Sequence, residues 1–297
     1  MNRILVGLVA KRTKESVLNE CKKVIEYLGS KSISLVVTKE LNKELSANNY
    51  ANVIVVDAVK DVVQYKDLAV VLVLGGDGTI ISAARCSQST SAPILPVNMG
   101  NLGFLSEIGP NELYQSLDTV LAGKSRTISR AIADVLVIQE GVQIFSGRAV
   151  NDVVVSKSAI ARIFGLNLNI NGVRAAYIKG DGVIVATPLG STAYSMSAGG
   201  SIVHPEVDAM LITPICSHSL TARPLVVQGN SEIQLELEFN LKDPQELTLT
   251  LDGQETVTLC KDTLINVKLS EEKARFFSSG KSYYDILAGK LKWATHG

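Results

Sequence analysis

The chain has 297 residues, 46% of them apolar and 20% charged, a balance that excludes a disordered polar chain and leaves room for two domains, each with its own core. Lys and Arg number 29 and Asp and Glu also 29, so the net charge is zero; no overall field draws the protein to nucleic acid or to an anionic membrane, although a local basic pocket for phosphates is compatible with this balance. The four cysteines, Cys21, Cys86, Cys216 and Cys260, form no CxxC pair, which fits reduced thiols in a cytoplasm better than a zinc site or a disulfide framework.

From the N-terminus, the apolar run Ile4 to Val9 is too short for the core of a signal peptide and has charge on both sides, so it reads as a first buried strand. No apolar stretch approaches the roughly 20 residues that span a bilayer. Ser16 to Leu28 carries a helical pattern, and Ile33 to Val37 and Val53 to Val56 are short β-branched runs; the alternation predicts βαβ units and a parallel sheet. Lys11, Arg12 and Lys14 follow the first strand, where they either approach a phosphate or face water, and water is the expectation. The unbroken run Ala69 to Leu74 suits a central strand covered by helices on both faces.

Next comes Gly75-Gly76-Asp77-Gly78-Thr79, with a helix expected over Ile80 to Cys86. Glycines at the carboxyl end of such a strand let a phosphate approach backbone N–H groups at a helix N-terminus, which makes Gly75, Gly76, Gly78 and Thr79 candidates for holding donor phosphates. A carboxylate among them repels phosphate, so a site that only held phosphate would avoid it; a site that must also deprotonate an attacking hydroxyl needs one, and Asp77 is read as that base. An N-cap or an Asp-Gly turn accounts for the same residue, and the motif by itself leaves these readings open. After the strand-like Ile94 to Val97, the loop Asn98, Gly100, Asn101, Leu102, Gly103 and Phe104 is expected to aim at the same crevice.

Beyond about Lys124 the texture changes to period two. It is clearest where Ile233, Leu235, Leu237 and Phe239 alternate with polar residues and where Leu247, Leu249 and Leu251 lead into Asp252-Gly253. That pair and Asn171-Gly172 are two-residue hairpin signals, so antiparallel strands are predicted. Asn151-Asp152 interrupts an apolar strand-like run. Partners for such polar groups must come from a ligand, whose sugar hydroxyls or amide edge would serve, or from a bulge or strand-end turn. The segment Gly180 to Ala186 followed by Thr187-Pro188-Leu189-Gly190-Ser191-Thr192-Ala193-Tyr194-Ser195 reads as turn, strand, turn and helix. Small residues there allow close backbone approach, and Tyr194 offers a flat face to a base; an ordinary capping loop with Tyr194 in the core is the other reading. His204, His218 and Arg223 are expected to be structural or on the surface, and no metal is assigned to protein side chains. The last segment, Tyr283 to Trp293, has helical spacing.

In this order GGDGT, NMGNLGFL, NDVVV, GDGVIVATPLGSTAYSMSAGG and PICSHSLTARPLVV resemble the NAD kinase family. The resemblance runs from about residue 71 to residue 254, and its GSTAY block is more specific than GGDGT, which lipid kinases and phosphofructokinases also resemble. It implies an N-terminal Rossmann-like α/β domain and a C-terminal β-rich, β-sandwich domain with NAD bound in the cleft between them, in agreement with the division read from the residues into 1–123, 124–270 and a last segment, 271–297, expected to pack back on the first. Asp77 then resembles the family's acceptor of the proton of the 2′-hydroxyl of the adenosine ribose, with Gly78 beside the dinucleotide. Asn151 and Asp152 resemble contacts to ribose and base. Arg162, Lys179 and Asp181 match positions lining the NAD site, Thr192, Ala193, Tyr194, Ser195, Met196 and Ser197 match the stretch that wraps it, and Gln254 matches weakly. The activity implied is transfer of a phosphoryl group from ATP, or polyphosphate, to NAD with a divalent cation, Mg2+, in a homodimer or homotetramer. Leu189 stands where the family usually has Thr, Ser106 where Thr is frequent, and Lys179 where Arg is common.

Two other functions share part of the pattern. A lipid kinase of the diacylglycerol or sphingosine type would carry GGDGT before a β-rich domain, but it needs an apolar acceptor groove and does not need GSTAY. A non-catalytic dinucleotide sensor would keep the loops without a reason to keep Asp77.

Overall fold

The computed structural model describes residues 4–11, 14–46, 50–100, 103–157, 164–219, 221–238, 247–260 and 262–292. The chain forms two compact units, Met1–Ser129 with Glu272–Gly297, and Arg130–Glu271. Among the described residues no helix is long and apolar enough to cross a membrane.

The first unit alternates strands and helices: β1 (Leu5–Ala10), α1 (Glu15–Ser30), β2 (Ser34–Thr38), α2 (Lys39–Leu45), β3 (Val53–Val56), α3 (Val59–Val63), β4 (Leu68–Gly75), α4 (Asp77–Arg85), β5 (Ile94–Asn98) and α5 (Leu113–Leu121). The strands run parallel in the order β5-β4-β1-β2-β3. Each crossover helix covers the sheet with one apolar stripe; in α1 the buried Val17, Cys21, Val24, Ile25 and Leu28 lie three or four residues apart and bury one face. The order reverses between β1 and β4. In an open α/β sheet, the crevice outside the carboxyl ends of the strands at such a reversal is where ligands bind, because the loops from two adjacent strands diverge there to opposite faces. The β-branched and glycine patterns locate β1 to β5 within a residue or two, whereas α4 begins earlier than expected: Gly78 and Thr79 are already helical, and Gly76 is the N-cap.

The second unit is antiparallel. It takes in β6 (Thr127–Gln139), β7 (Val142–Ala149), β8 (Asp152–Lys157), β9 (Phe164–Ile170), β10 (Val173–Gly180), β11 (Gly182–Ala186), α6 (Tyr194–Ser197), β12 (Ala209–Ile215), β13 (Leu225–Gln228), β14 (Ile233–Glu238), β15 (Leu247–Leu251), β16 (Glu255–Leu259) and β17 (Thr263–Phe277). One layer is the six-stranded sheet β13-β12-β11-β8-β15-β16, and the other pairs β10, β9, β14 and β17 in that order. Alternate residues of both layers meet in one core: Val153, Val155, Val183, Val185, Leu249 and Leu251 from the first, Leu166, Leu168, Leu235 and Ile265 from the second. Burying one face of each strand is what the period-two pattern demands. Both predicted hairpin turns form, with φ of 52° at Asn171 and at Asp252 followed by glycines at 75° and 64°, the left-handed pair that a two-residue hairpin requires.

The chain passes into the second unit within β6 and returns within β17. In the first unit, Phe276 of β17 pairs with Ile94 of β5, the N–H of Ser278 donates to the carbonyl of Arg126 at 3.0 Å, and α7 (Tyr283–Leu291) follows, capped by the Ser282 hydroxyl.

Candidate active site

The first unit carries a cavity of about 590 Å³ lined by Val9, Ala10, Lys11, Glu44, Val59, Gly76, Gly78, Thr79 and Ser82. It opens where β1 ends and α4 begins, at the reversal of strand order, so the N–H groups of the first turn of α4 and the Lys11 cation border one space. The anion-binding geometry follows from the strand-turn-helix itself. Lys11 was expected to face water; it is exposed, and it also stands on the wall of this cavity, because its own N–H continues the sheet by donating to the carbonyl of Leu74 at 3.0 Å. Arg12 lies outside the described residues.

Asp77 is the first helical residue of α4 and not its cap, which removes the capping account of its carboxylate. Its side chain is held by the loop after β5: Oδ2 accepts the N–H of Phe104 at 3.0 Å, and Oδ1 accepts the hydroxyl of Ser106 at 3.4 Å. β4 and β5 are neighbours, with Gly75 opposite Asn98, so the two glycine-punctuated loops do meet. Gly103 is where they touch: a Cβ on it would lie 1.8 Å from Oδ1 of Asp77 and 2.5 Å from the Ser106 hydroxyl. At Gly75 a Cβ would come 2.6 Å from the Thr79 hydroxyl, so the turn into α4 also depends on a missing side chain.

The second unit carries a cavity of about 430 Å³ lined by Asn151, Asp152, Val154, Ser156, Ala193, Tyr194, Thr250, Asp252 and Gly253. Tyr194 is exposed rather than in the core and lines this cavity. The backbone of Asn151 is fixed from the GSTAY side: Thr187 donates its N–H to the Asn151 carbonyl at 2.9 Å and its hydroxyl to the Val150 carbonyl at 2.6 Å. Gly190 permits this approach, since a Cβ there would sit 2.0 Å from the Asn151 carbonyl oxygen.

Asp152 is buried, and its carboxyl is pushed up to about 7, first by burial and then by the negative charge of Asp252, while the N–H of Tyr194 pulls it the other way. The site therefore holds a carboxyl poised near neutrality beside a tyrosine face, a combination suited to hydrogen-bonding sugar hydroxyls or the edge of a base.

Of the other residues singled out in the sequence, Asp181 pairs with Lys157 at 2.8 Å, Lys179 is exposed and its carbonyl accepts the N–H of His218 at 2.8 Å, and Gln254 is exposed after the β15–β16 turn. The Thr192 hydroxyl donates to the Leu189 carbonyl at 3.3 Å, and Met196 and Ser197 lie on α6. Ser195 is buried with its hydroxyl 2.8 Å from that of Thr213. Arg162 lies outside the described residues. Sequence reasoning expected Lys11 to face water, placed Gly103 only in a loop aimed at the crevice, and read Asp252 only as part of a hairpin turn. No local signal marks Gly103 as the partner of a carboxylate 26 positions away, and Asp252 reads in sequence only as a turn former.

Comparison with known proteins identifies the family and the fold. Residues 6–125 match the ATP-NAD kinase N-terminal domain and residues 150–279 the ATP-NAD kinase C-terminal domain. The chain is 39% identical over 290 residues to an NAD kinase of Magnetococcus marinus, spanning 97% of this chain and 93% of that one. Among solved structures, yeast NADH kinase complexed with NADH shares the fold with a TM-score of 0.91 at 24% identity, over 99% of this chain and 89% of that one. An NAD kinase from Archaeoglobus fulgidus in complex with ATP shares it with a TM-score of 0.72 at 22% identity, over 96% and 98%. With a βαβ unit carrying GGDGT at its strand reversal and a β-sandwich carrying NDVVV and GSTAY, matched along nearly its whole length, this chain belongs to the ATP-NAD kinase family.

Proposed function

We propose that this protein transfers the terminal phosphoryl group of ATP to the 2′-hydroxyl of the adenosine ribose of NAD, giving NADP and ADP. The observation that carries the reading is the aim of Asp77, an acid in a glycine turn that does not cap the helix it opens and is held by Phe104 and Ser106. Asp77 orients the ribose hydroxyl and takes its proton. An aspartate, with a reference pKa near 3.9, is a weak base at neutral pH, but phosphoryl transfer leaves the proton in place until late, and a well-placed acceptor suffices.

Lys11, the N–H groups of Gly76 and Gly78 and the hydroxyl of Thr79 hold the donor phosphates, and in-line placement supplies most of the rate. Glu44 on the cavity wall is a carboxylate in a phosphate site, and among the described residues no three His, Cys, Asp or Glu gather into a cage. This donor set fits Mg2+, which keeps several waters and is bound through one or two carboxylates together with substrate phosphates. Bound there, the cation would neutralise charge on the donor triphosphate.

NAD is held by Asn151, Asp152, Ala193 and Tyr194, with Lys179, Asp181, the rest of Thr192 to Ser197, Gln254 and Arg162 completing its surroundings. The donor half of the reaction thus belongs to Met1–Ser129 with Glu272–Gly297 and the nucleotide half to Arg130–Glu271, in a homodimer or homotetramer. Incubation with NAD, ATP and magnesium, read by an NADP-specific dehydrogenase, should give NADP. Phosphorylation of diacylglycerol or sphingosine with no NADP formed would replace this reading with a lipid kinase.

A further inference from the structure

The turn between β15 and β16 is closed in the ordinary way by the Gln254 N–H on the Leu251 carbonyl at 2.9 Å, and the N–H of Asp252 extends the β15–β8 ladder by donating to the Asp152 carbonyl at 2.9 Å. Neither bond uses the Asp252 side chain. Its carboxylate instead gathers three consecutive backbone amides: Oδ1 accepts from Val150 at 3.1 Å, Asn151 at 2.7 Å and Asp152 at 3.1 Å, and Oδ2 accepts from Val150 at 3.0 Å. Successive amides converging on one anion form the concavity with which proteins bind free anions; here the anion belongs to the chain. Asn171-Gly172 makes the same kind of turn with no carboxylate, so the turn itself does not require one.

The amides of 150–152 are thereby fixed from one side by Asp252, and the carbonyls of Val150 and Asn151 from the other by Thr187. Between the two clamps, Asn151 and Asp152 face the 430 Å³ cavity. Two carboxyls in one small space repel, so the arrangement carries an electrostatic cost that a purely structural turn would avoid.

We propose that Asp252 is a positioning residue of the nucleotide site: by gathering the amides of Val150, Asn151 and Asp152 it fixes how Asn151 and Asp152 present their side chains, and so sets affinity for NAD while leaving phosphoryl transfer and ATP binding alone. The inference rests on the NAD kinase reading. Asp252 also faces Asp152 as a like charge from the β15–β16 turn, and the Tyr194 N–H faces it from α6, so the titration of Asp152 reports on the pair.

The test is Asp252→Asn. Asn-Gly is itself a favoured pair for this turn, so the hairpin is retained while the charge and one acceptor oxygen are lost. The KM for NAD should rise about tenfold or more, the loss of a charge-assisted hydrogen-bond cluster, with kcat and the KM for ATP within about threefold of wild type. Amide exchange should quicken at Val150 to Asp152 and stay unchanged elsewhere. The pH midpoint of NAD binding should move to lower pH, because removal of a neighbouring negative charge eases ionisation of Asp152.

An unchanged KM for NAD with unchanged exchange at 150–152 would overturn the proposal. So would a parallel fall of kcat and both affinities with faster exchange throughout, which marks a structural role alone. A wild type that binds NAD but forms no NADP would sink the kinase reading, and the inference with it; an active wild type with an indistinguishable variant would sink only the inference.

Discussion

Asp77 owes its direction to a residue that has no side chain. A Cβ at Gly103 overlaps the Asp77 carboxylate, so Gly103→Ala should swing the acid off the Phe104 N–H and lower kcat by about a hundredfold, the scale of a 1 Å misplacement of a reacting group. Steady-state kinetics on a variant whose melting temperature is retained checks this; wild-type kcat would show that the carboxylate needs no such support. Lys11→Met should raise the KM for ATP about tenfold, as loss of a charge-assisted phosphate contact does, and leave the KM for NAD unchanged. Asp152 sets a pH dependence of stability. Its folded value of about 7 lies above the ordinary carboxyl value of 3.8, so the folded state holds a proton the unfolded chain releases. That contribution is complete below the unfolded value and is lost as pH rises toward and through about 7. Asp152→Asn should therefore flatten the fall in melting temperature from about pH 4 to about pH 7; an unaltered slope would mean that another group governs it. At this scale the sequence singled out Asp77 as a candidate, since an acid in a glycine turn after a buried strand is chemically out of place. It hid Asp252, since Asp-Gly already satisfies a hairpin and its hold on residues a hundred positions away is a matter of tertiary structure.

Among the elements, the strand reversal between β1 and β4 makes the cavity of the first unit, and the contact of Thr187 and Gly190 with Asn151 shapes that of the second. Gly190→Ala sets a Cβ 2.0 Å from a backbone carbonyl oxygen, where neither partner is a flexible side chain. We expect a loss of roughly 2 kcal/mol or more in a denaturant titration, as overpacking does, with a raised KM for NAD; a stability within error of wild type would show that the loop can move. The strands of the first unit and both hairpins were legible because β-branched runs, alternation and Asn-Gly or Asp-Gly pairs are local signals. The short helices α2, α3 and α5 were not. Val59–Val63 is rich in β-branched residues, and it is helical because tertiary packing, which buries Val62 and Val63, overrides weak local preference. The start of α4 was placed too late because glycine lowers helix propensity, whereas here Gly78 lies in the first turn, where open backbone N–H groups matter more than propensity.

For the whole molecule, the change of texture near Lys124 and the neutral charge were readable from composition alone. The return of the last segment was expected, but its contacts were not legible, because the pairing of Phe276 with Ile94 and the hydrogen bond of the Ser279 N–H to Glu107 at 3.1 Å join residues about 170 or more positions apart. Phe276 is buried, and Phe276→Ala should cost about 3–5 kcal/mol in the first unit. The account rests most heavily on one carboxylate at the end of β4, and the direct measurement pairs single-turnover kinetics with calorimetric NAD binding for wild type and Asp77→Asn. The predicted result is a fall in the transfer rate of about a thousandfold or more with a Kd for NAD within about threefold. A variant that keeps a tenth of the wild-type rate, or that loses NAD binding in proportion to its rate, would contradict the assignment of Asp77 as the group that receives the ribose proton.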